Sequence, residues 1–580
     1  MVAFTSEQQS FASGVLSPAL AYKPSSSVYG TGLLDCVNAV ISREGSVNRR
    51  PSSRFVAVTN GASRLLRFTA VAGLEWLIEL RSDKSVRFYS QQGYLAAPSS
   101  SAALVLSGLP YAASELSSVQ LLAVGNSAYL LHKNHTPRLL SYDPTVNSAT
   151  TAPWALSTPS FTGLMAGQKP SCGAAYGQRL VFSGFEDKAG RILFSRTPDA
   201  SGGLRLTDFT SGADDDHALD FTTARGQAIY WLLERDSGIL FGSHSGMYIL
   251  SSRSQDQALS GTNATVKRQS PLPIGVVPPQ EMDQAFFVAH NSLRDVLQAQ
   301  YSFDLAGIQT ESQTVNAGHL FESPISDMAF SQSEGLLWLL IDESLVSLSF
   351  WRETEIRGFT RHDFGGTVHS LAVVNGAYGD QLWLCVERNQ GGSKVFTVEF
   401  MQFNEVLAMP HHLDSVVYKN TAGTSVTGLT HLEGRAVQVV SDHGEETQTV
   451  TSGAVAIERE SNHLAVGYGF ATSVEFLPPR QGTNNVRNSA RTTLLTDLEL
   501  AVTRSSGFDV ICHNGNGEKT QEEAYSGVHS GGVGTANFSG DTIYHANLIS
   551  DYDARAHVEI VTTSARPLRI HQISIRGEVE

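Results

Sequence analysis

Between Ile325 and Phe364 the chain reads ISDMAFS, LLWLLID, SLVSLSFW and IRGFTRHDF, four runs of strand length separated by one to four turn-forming residues. Short runs rich in β-branched and aromatic residues, bounded by Gly, Asn, Asp and Ser, read as strands and tight turns, and helical periodicity is scarce along the chain. Four such strands make one antiparallel sheet. A new sheet opens at His369 with HSLAVVN and continues through DQLWLCVER from Asp380 and KVFTVEFMQF from Lys394. Comparable openings occur upstream at Val119, Ser171, Gln227 and Gln284. A four-stranded unit recurring every ~40 to 55 residues predicts a β-propeller, because one blade cannot bury both its faces and must stack on neighbours around an axis. No WD or kelch consensus accompanies the repeat, and a set of β-sandwiches is the competing arrangement.

The expected fold class is all-β, a β-propeller with flanking antiparallel β domains. From about Met401 the texture changes to longer hairpins such as VTGLTHLEGRAVQVVSDHGEE from Val426, while the first fifty residues carry almost no blade-like pattern. The expected division is an N-terminal arm over residues 1–60 packing on the C-terminal β domain, a propeller over 61–400 and an antiparallel β platform over 401–580. The Gly-, Ser- and Glu-rich stretch Glu518 to Ser539 reads as an exposed loop.

A formal net charge of −15 over 580 residues excludes a globally basic nucleic-acid binder. Charged residues make up only 17%, against ~25% in an average soluble domain, so much of the surface is expected to be buried or covered by other subunits. No run approaches the ~20 apolar residues of a spanning helix. Met1 to Ser10 lacks the charged and apolar regions of a secretory signal, and no export by that route is expected. Cys36, Cys172, Cys385 and Cys512 lie far apart with no CxxC pair, which reads as reduced, buried thiols.

The motifs are sparse in chemistry. Asp214, Asp215, Asp216 and Asp220 crowd the run GADDDHALDF, but the glycine and distal glutamate of a calcium loop are missing, and a solvated turn is the plainer reading. Acid pairs such as Asp342 with Glu343, or Glu353 with Glu355, match a glycoside-hydrolase pattern in residue type alone. No GxSxG, HExxH, P-loop or dinucleotide fingerprint is present. His411 and His412 are adjacent and would point apart on a strand. Arg43, Arg49, Arg50 and Arg54 form a basic cluster that reads either as a phosphate site or as a subunit interface. The chain carries 9 Lys and 32 Arg, and the weaker hydration and bidentate pairing of guanidinium favour the interface.

Several of these segments match a known family. Gly14 to Pro18 read GVLSP and Arg49 to Val56 read RRPSSRFV; ILFSRTPD from Ile192 and TDFTSGADDDHALDFTTA from Thr207 follow. Later come LWLCVER (Leu382 to Arg388), LDS (Leu413 to Ser415), GLTHLEGRAVQVVSDHG (Gly428 to Gly444) and LAVGYGF (Leu464 to Phe470). In this order they resemble the tail nozzle proteins, also called tail tubular protein B, of short-tailed bacteriophages (podoviruses). The likeness runs from about Gly14 to the C-terminus; Ser52 and Ser53 stand where the family has Gly-Thr. The resemblance implies a structural virion protein, a sixfold ring below the portal and adaptor built on a β-propeller with flanking β domains, through which the genome leaves the capsid. It implies no enzyme activity, no catalytic, cofactor-binding or metal residues and no cofactor. The implied partners are further copies of the chain, the adaptor or tail tubular ring, tail fibres or spikes, and double-stranded genomic DNA that passes without sequence-specific binding. The implied locations are the virion tail and, during assembly, the host cytoplasm. An acidic bore and a constriction made by Glu518 to Ser539 are expected on this reading. The alternative is a carbohydrate-binding or carbohydrate-cleaving propeller, a tailspike-like depolymerase or a lectin; a cytoplasmic propeller scaffold is a third.

Overall fold

In the computed structural model the described residues are all except 1, 72, 91–92, 224–225, 255–256, 258, 284, 303, 305–306, 405–406, 480–491, 506, 515–523, 526–540 and 549. Among them, seven antiparallel sheets follow one another in sequence, opening with Arg64–Thr69, Gln120–Val124, Cys172–Tyr176, Ile229–Arg235, Gln280–Met282, Ile325–Ser331 and Thr367–Gly376. They are blades one to seven of a β-propeller. Blade six contains the four runs read from the sequence, as Ile325–Ser331, Leu336–Ile341, Ser344–Trp351 and Ile356–His362.

Ring closure is visible in the hydrophobic cores, because one core lies between each pair of neighbouring blades. In LLWLLI of blade six, Leu337 and Leu339 pack with Phe287 of blade five, while Trp338 and Leu340 pack with Val373 and Leu384 of blade seven. Alternate side chains thus enter different cores, and both faces are buried, which is why the run reads as continuously apolar. Trp231 and Leu240 join blade four to Phe286 and Val288 of blade five. The last core joins Trp383, Cys385 and Val398 of blade seven to Leu65, Leu77 and Tyr89 of blade one. That core closes the circle.

Blade seven supplies only three strands from its own stretch, Thr367–Gly376, Gly379–Gln390 and Ser393–Gln402. Its fourth is Ser53–Thr59, which pairs antiparallel with Ser393–Gln402 from ahead of blade one. The ring is latched by chain from before residue 60, so the propeller includes residues from the expected arm. Blade five also differs from the sequence reading: AFFVA, Ala285–Ala289, is its second strand, and the first, Gln280–Met282, is too short for an alternating pattern to show.

Both chain ends build a sandwich beside the ring. One sheet orders Ala39–Ile41, Val47–Arg49, Arg569–Val579, Thr493–Thr503 and Asp541–Asn547, with Val2–Gln8 along Arg569–Val579. The other includes Gly32–Val37, Thr472–Phe476, His557–Thr562 and Phe508–His513. Phe11, Cys36, Phe476, Leu498, Val558 and Ile573 fill the space between them. A smaller unit spans 413–469 around Val426, Leu432, Val439 and Val466. Of the expected loop Glu518 to Ser539, only Ala524–Tyr525 lies within the described residues, as a strand beside Phe508–Asp509; the rest lies outside them.

Gly14 sits at the seam of ring and sandwich, beside Gly32 on one side and Phe359 of blade six on the other. Its φ is +58°, and a Cβ there would lie 2.5 Å from the Phe359 nitrogen. Only glycine fits both the left-handed backbone and the close approach.

Candidate functional site

The densest polar cluster lies where ring, sandwich and small unit meet, and it is built outward from Arg50. Pro51 biases Arg50 to an extended backbone, and the side chain enters the interior, fully buried. Its two terminal nitrogens donate to the two Asp414 carboxylate oxygens, each at 2.7 Å. Arg50 Nε donates to Asn38 Oδ1 at 3.0 Å, and a terminal nitrogen also reaches the Asp363 carbonyl at 2.8 Å. The guanidinium lies between two aromatic faces, 4.2 Å from the Phe364 centroid and 3.8 Å from that of Phe470. Bidentate pairing plus two stacked rings suits arginine and no other cation.

A second buried pair sits beside the first. Arg388 donates to both oxygens of Glu399, and Thr397 Oγ1 donates to Glu399 at 2.6 Å. Ser53 Oγ lies 2.6 Å from Glu399 and 3.1 Å from Asp414, and accepts the Ser415 N–H at 3.0 Å, so one hydroxyl ties the two ion pairs together. Burial alone would raise the Glu399 carboxyl, but Arg388, Ser53 and Thr397 outweigh it and hold the group down at about 2. Around this core, burial keeps the imidazoles neutral: His411 is pushed down to about 4, and His412, with Arg49 adding repulsion, goes well below its usual value. His412 Nδ1 donates to the Arg50 carbonyl at 2.7 Å, and His431 stacks on Phe55 with centroids 3.6 Å apart. Arg49 donates to the carbonyls of Phe470, Ser564 and Arg566.

Chemically, the cluster is a closed weld. Two guanidinium groups balance two carboxylates out of water. For the arginine run the structure overturns the readings from sequence: Arg49 and Arg50 offer neither a phosphate site nor a surface for a neighbouring subunit, since their donors face carbonyls and Asp414 of the same chain. Arg43 and Arg54 lie over the rings of Trp351 and Phe400.

Of the remaining sequence candidates, Asp214 and Asp216 meet, together with His217, with one ligand atom each within 4.8 Å, whereas the acid pairs sit in separate turns. Asp342 and Glu343 are the two central residues of a hairpin turn, with φ of 47° and 66°, and Glu353 and Glu355 occupy another exposed turn. In the acidic run, Asp216 pairs with Arg196 and Arg205 and Asp220 pairs bidentately with Arg191, while Asp214 and Asp215 are exposed. Arginine contacts thus replace the cation of a calcium loop at two of its four acids. The four cysteines are free and buried, and burial raises every thiol, Cys172 and Cys385 to about 12. Thiolate chemistry is disfavoured at all four.

Sequence reasoning missed the roles of Asp414, Glu399 and Arg388, although LDS and LWLCVER were singled out as motifs. The available signal was a charged residue inside an apolar strand. It also missed two groups of histidine and glutamate: Glu115 with His132 and His135 at blade two, and Glu475 with His513 and His557 on the sandwich.

No protein-family model matches the chain, and no curated protein matches it. Among solved structures it is similar to the β-propeller domain of Cps50 (Swd1) from Myceliophteria thermophila, at 9% identity and a TM-score of 0.37, over 60% of this chain and 100% of that one. It is also similar to BBS1N, solved in complex with ARL6DN, at 10% identity and a TM-score of 0.34, over 62% of this chain and 97% of that one. The propeller assignment rests on the seven sheets and their shared cores.

Proposed function

We propose that the chain is a structural component of a short-tailed phage tail, a nozzle ring below the portal and adaptor that retains the genome and then conducts it. The observation that carries this reading is the convergence of six of the eight motifs behind the family resemblance, ILFSRTPD and the run from Thr207 lying apart in blade three. RRPSSRFV supplies Arg49, Arg50, Ser53 and Phe55; LWLCVER supplies Arg388; LDS supplies Asp414; GLTHLEGRAVQVVSDHG supplies His431; LAVGYGF supplies Phe470. GVLSP supplies Gly14 at the adjoining seam. Segments up to 421 positions apart thus meet in one joint between three units, whereas a chance likeness would scatter over unrelated surfaces. A conduit for DNA under pressure needs its parts joined rigidly, and a buried network whose two carboxylates are each paired with an arginine supports that.

The test is to raise antibodies against the purified chain and image them on tailed particles from the source that encodes it. Label at the tip of the tail supports the reading. Particles that bear no label, or that keep an intact tail when this gene is disrupted, refute it.

A further inference from the structure

On the outer face of the sandwich, three neighbouring strands place histidine and glutamate in register. Glu475 is opposite Glu559, and His557 is opposite His513. Their neighbours Val474, Cys512, Val558 and Ile560 point the other way, into the core, so period-two alternation puts all four polar groups on the same face. The two imidazoles stack with centroids 4.8 Å apart and planes 14° apart. His557 Nδ1 donates to the Arg555 carbonyl at 2.7 Å, which turns Nε2 toward Glu475 Oε1 at 2.6 Å. His513 Nε2 lies 2.6 Å from Glu559 Oε2, and Ser473 Oγ donates to Glu559 as well. One ligand atom each from Glu475, His513 and His557 lies within 4.8 Å of the other two.

We infer that this face holds a borderline divalent transition cation, Zn2+ by preference, with Glu475, His513 and His557 as ligands and Glu559 positioning the His513 ring. Imidazole and carboxylate donors suit zinc, whereas an all-oxygen set would suit calcium or magnesium. The support around the ligands is what metal sites use: an imidazole nitrogen tied to a backbone carbonyl and a carboxylate behind the second ring. The 2.6 Å contact between Glu475 and His557 is a hydrogen bond, and tetrahedral ligands at ~2.05 Å from a metal stand ~3.3 Å apart, so the cation enters by displacing the proton, opening that contact by ~0.7 Å and turning the two stacked rings until their nitrogen lone pairs converge.

The group at Glu115 shows the difference. There His132 Nδ1 accepts the Asn134 N–H and its Nε2 lies 2.9 Å from Ser118 Oγ, while Glu115 takes donors from Ala112, Asn134 and His135. Both nitrogens of that imidazole are occupied within the chain, leaving no lone pair for a metal.

The experiment is a Co2+ titration of the purified full chain at neutral pH, read by visible d–d absorption and followed by displacement with Zn2+. One Co2+ per chain is expected, displaced by Zn2+. Affinity should fall about 100-fold or more in His513→Gln and in His557→Gln, and stay unchanged in His135→Gln. In parallel, Zn2+ should raise the thermal midpoint of the parent chain and leave that of Glu475→Gln where it was. Absence of stoichiometric binding overturns the inference. So does binding that survives both histidine substitutions, or binding lost in His135→Gln.

Discussion

Arg50 and Asp414 form a pair whose value appears when one member is removed. In Arg50→Met the Asp414 carboxylate stays buried without its bidentate partner, and breaking a buried pair this way costs about 3 to 5 kcal/mol. Urea unfolding should show a loss of that size in Arg50→Met, and a loss below about 1 kcal/mol would contradict the weld. The neighbouring imidazoles give the joint a pH dependence with a defined sign. Burial lowers His362, His411 and His412, so the folded chain stays neutral at these positions while the unfolded chain takes up protons near pH 6.5. Their contribution is therefore complete above pH 6.5 and disappears as the pH falls toward the folded value, about 4 for His411. For His411 alone the loss is about 3 kcal/mol, and unfolding midpoints measured from pH 7.5 down to 4.5 should flatten in His411→Gln. Glu399 acts at lower pH, between its ordinary 4.5 and about 2. At this scale the sequence was legible in part: RRPSSRFV stood out as a motif, but an arginine in a sequence does not reveal whether it faces water, and the partner that decides this lies 364 positions away.

Among the elements, Ser53–Thr59 carries the largest structural consequence. It is the outer strand of blade seven and is also bridged through Arg54 to Val416 of the small unit, so one strand joins the ring to its neighbour. Ala57, opposite Val398, lies inside this ladder. Ala57→Pro removes a backbone donor and constrains φ, and should cost about 3 kcal/mol, against under about 1 kcal/mol for Val105→Pro at the exposed start of the short outer strand of blade one. Chemical unfolding of the two variants checks this, and equal losses would mean that the latch does not hold the ring. Strands were readable wherever both faces are buried or where they alternate, as in LLWLLI and SLSFW. The latch was not, because RFVAVT has the same local character as any other edge strand, and pairing across more than 330 residues leaves no local trace. Asp342 and Glu343 illustrate the converse: two acids side by side invite a catalytic reading until positive φ at both identifies a turn.

At the scale of the whole molecule, the net charge of −15 per chain would sum to roughly −90 in the proposed sixfold ring. A ring with this charge is expected to leave duplex DNA hydrated and mobile rather than hold it by phosphate contacts, so the assembled protein should not bind free duplex DNA at physiological salt. Sedimentation of the purified chain with and without linear duplex tests both parts. A complex that forms tightly and dissociates steeply with added salt would falsify the acidic bore, and a chain that stays monomeric alone and with the adaptor ring would remove the sixfold assembly. The sequence by itself determined the class of architecture, because alternation and turn residues are local quantities that report how each strand is buried. It also determined the scarcity of motif chemistry and the sign of the charge. The tertiary structure alone decided how many blades close the circle, which strand latches them, and that residues from RRP, LDS and LWLCVER form one joint. Those outcomes depend on which distant surfaces meet, and contact between residues hundreds of positions apart is set by the packing of the whole chain, not by the pattern of any segment.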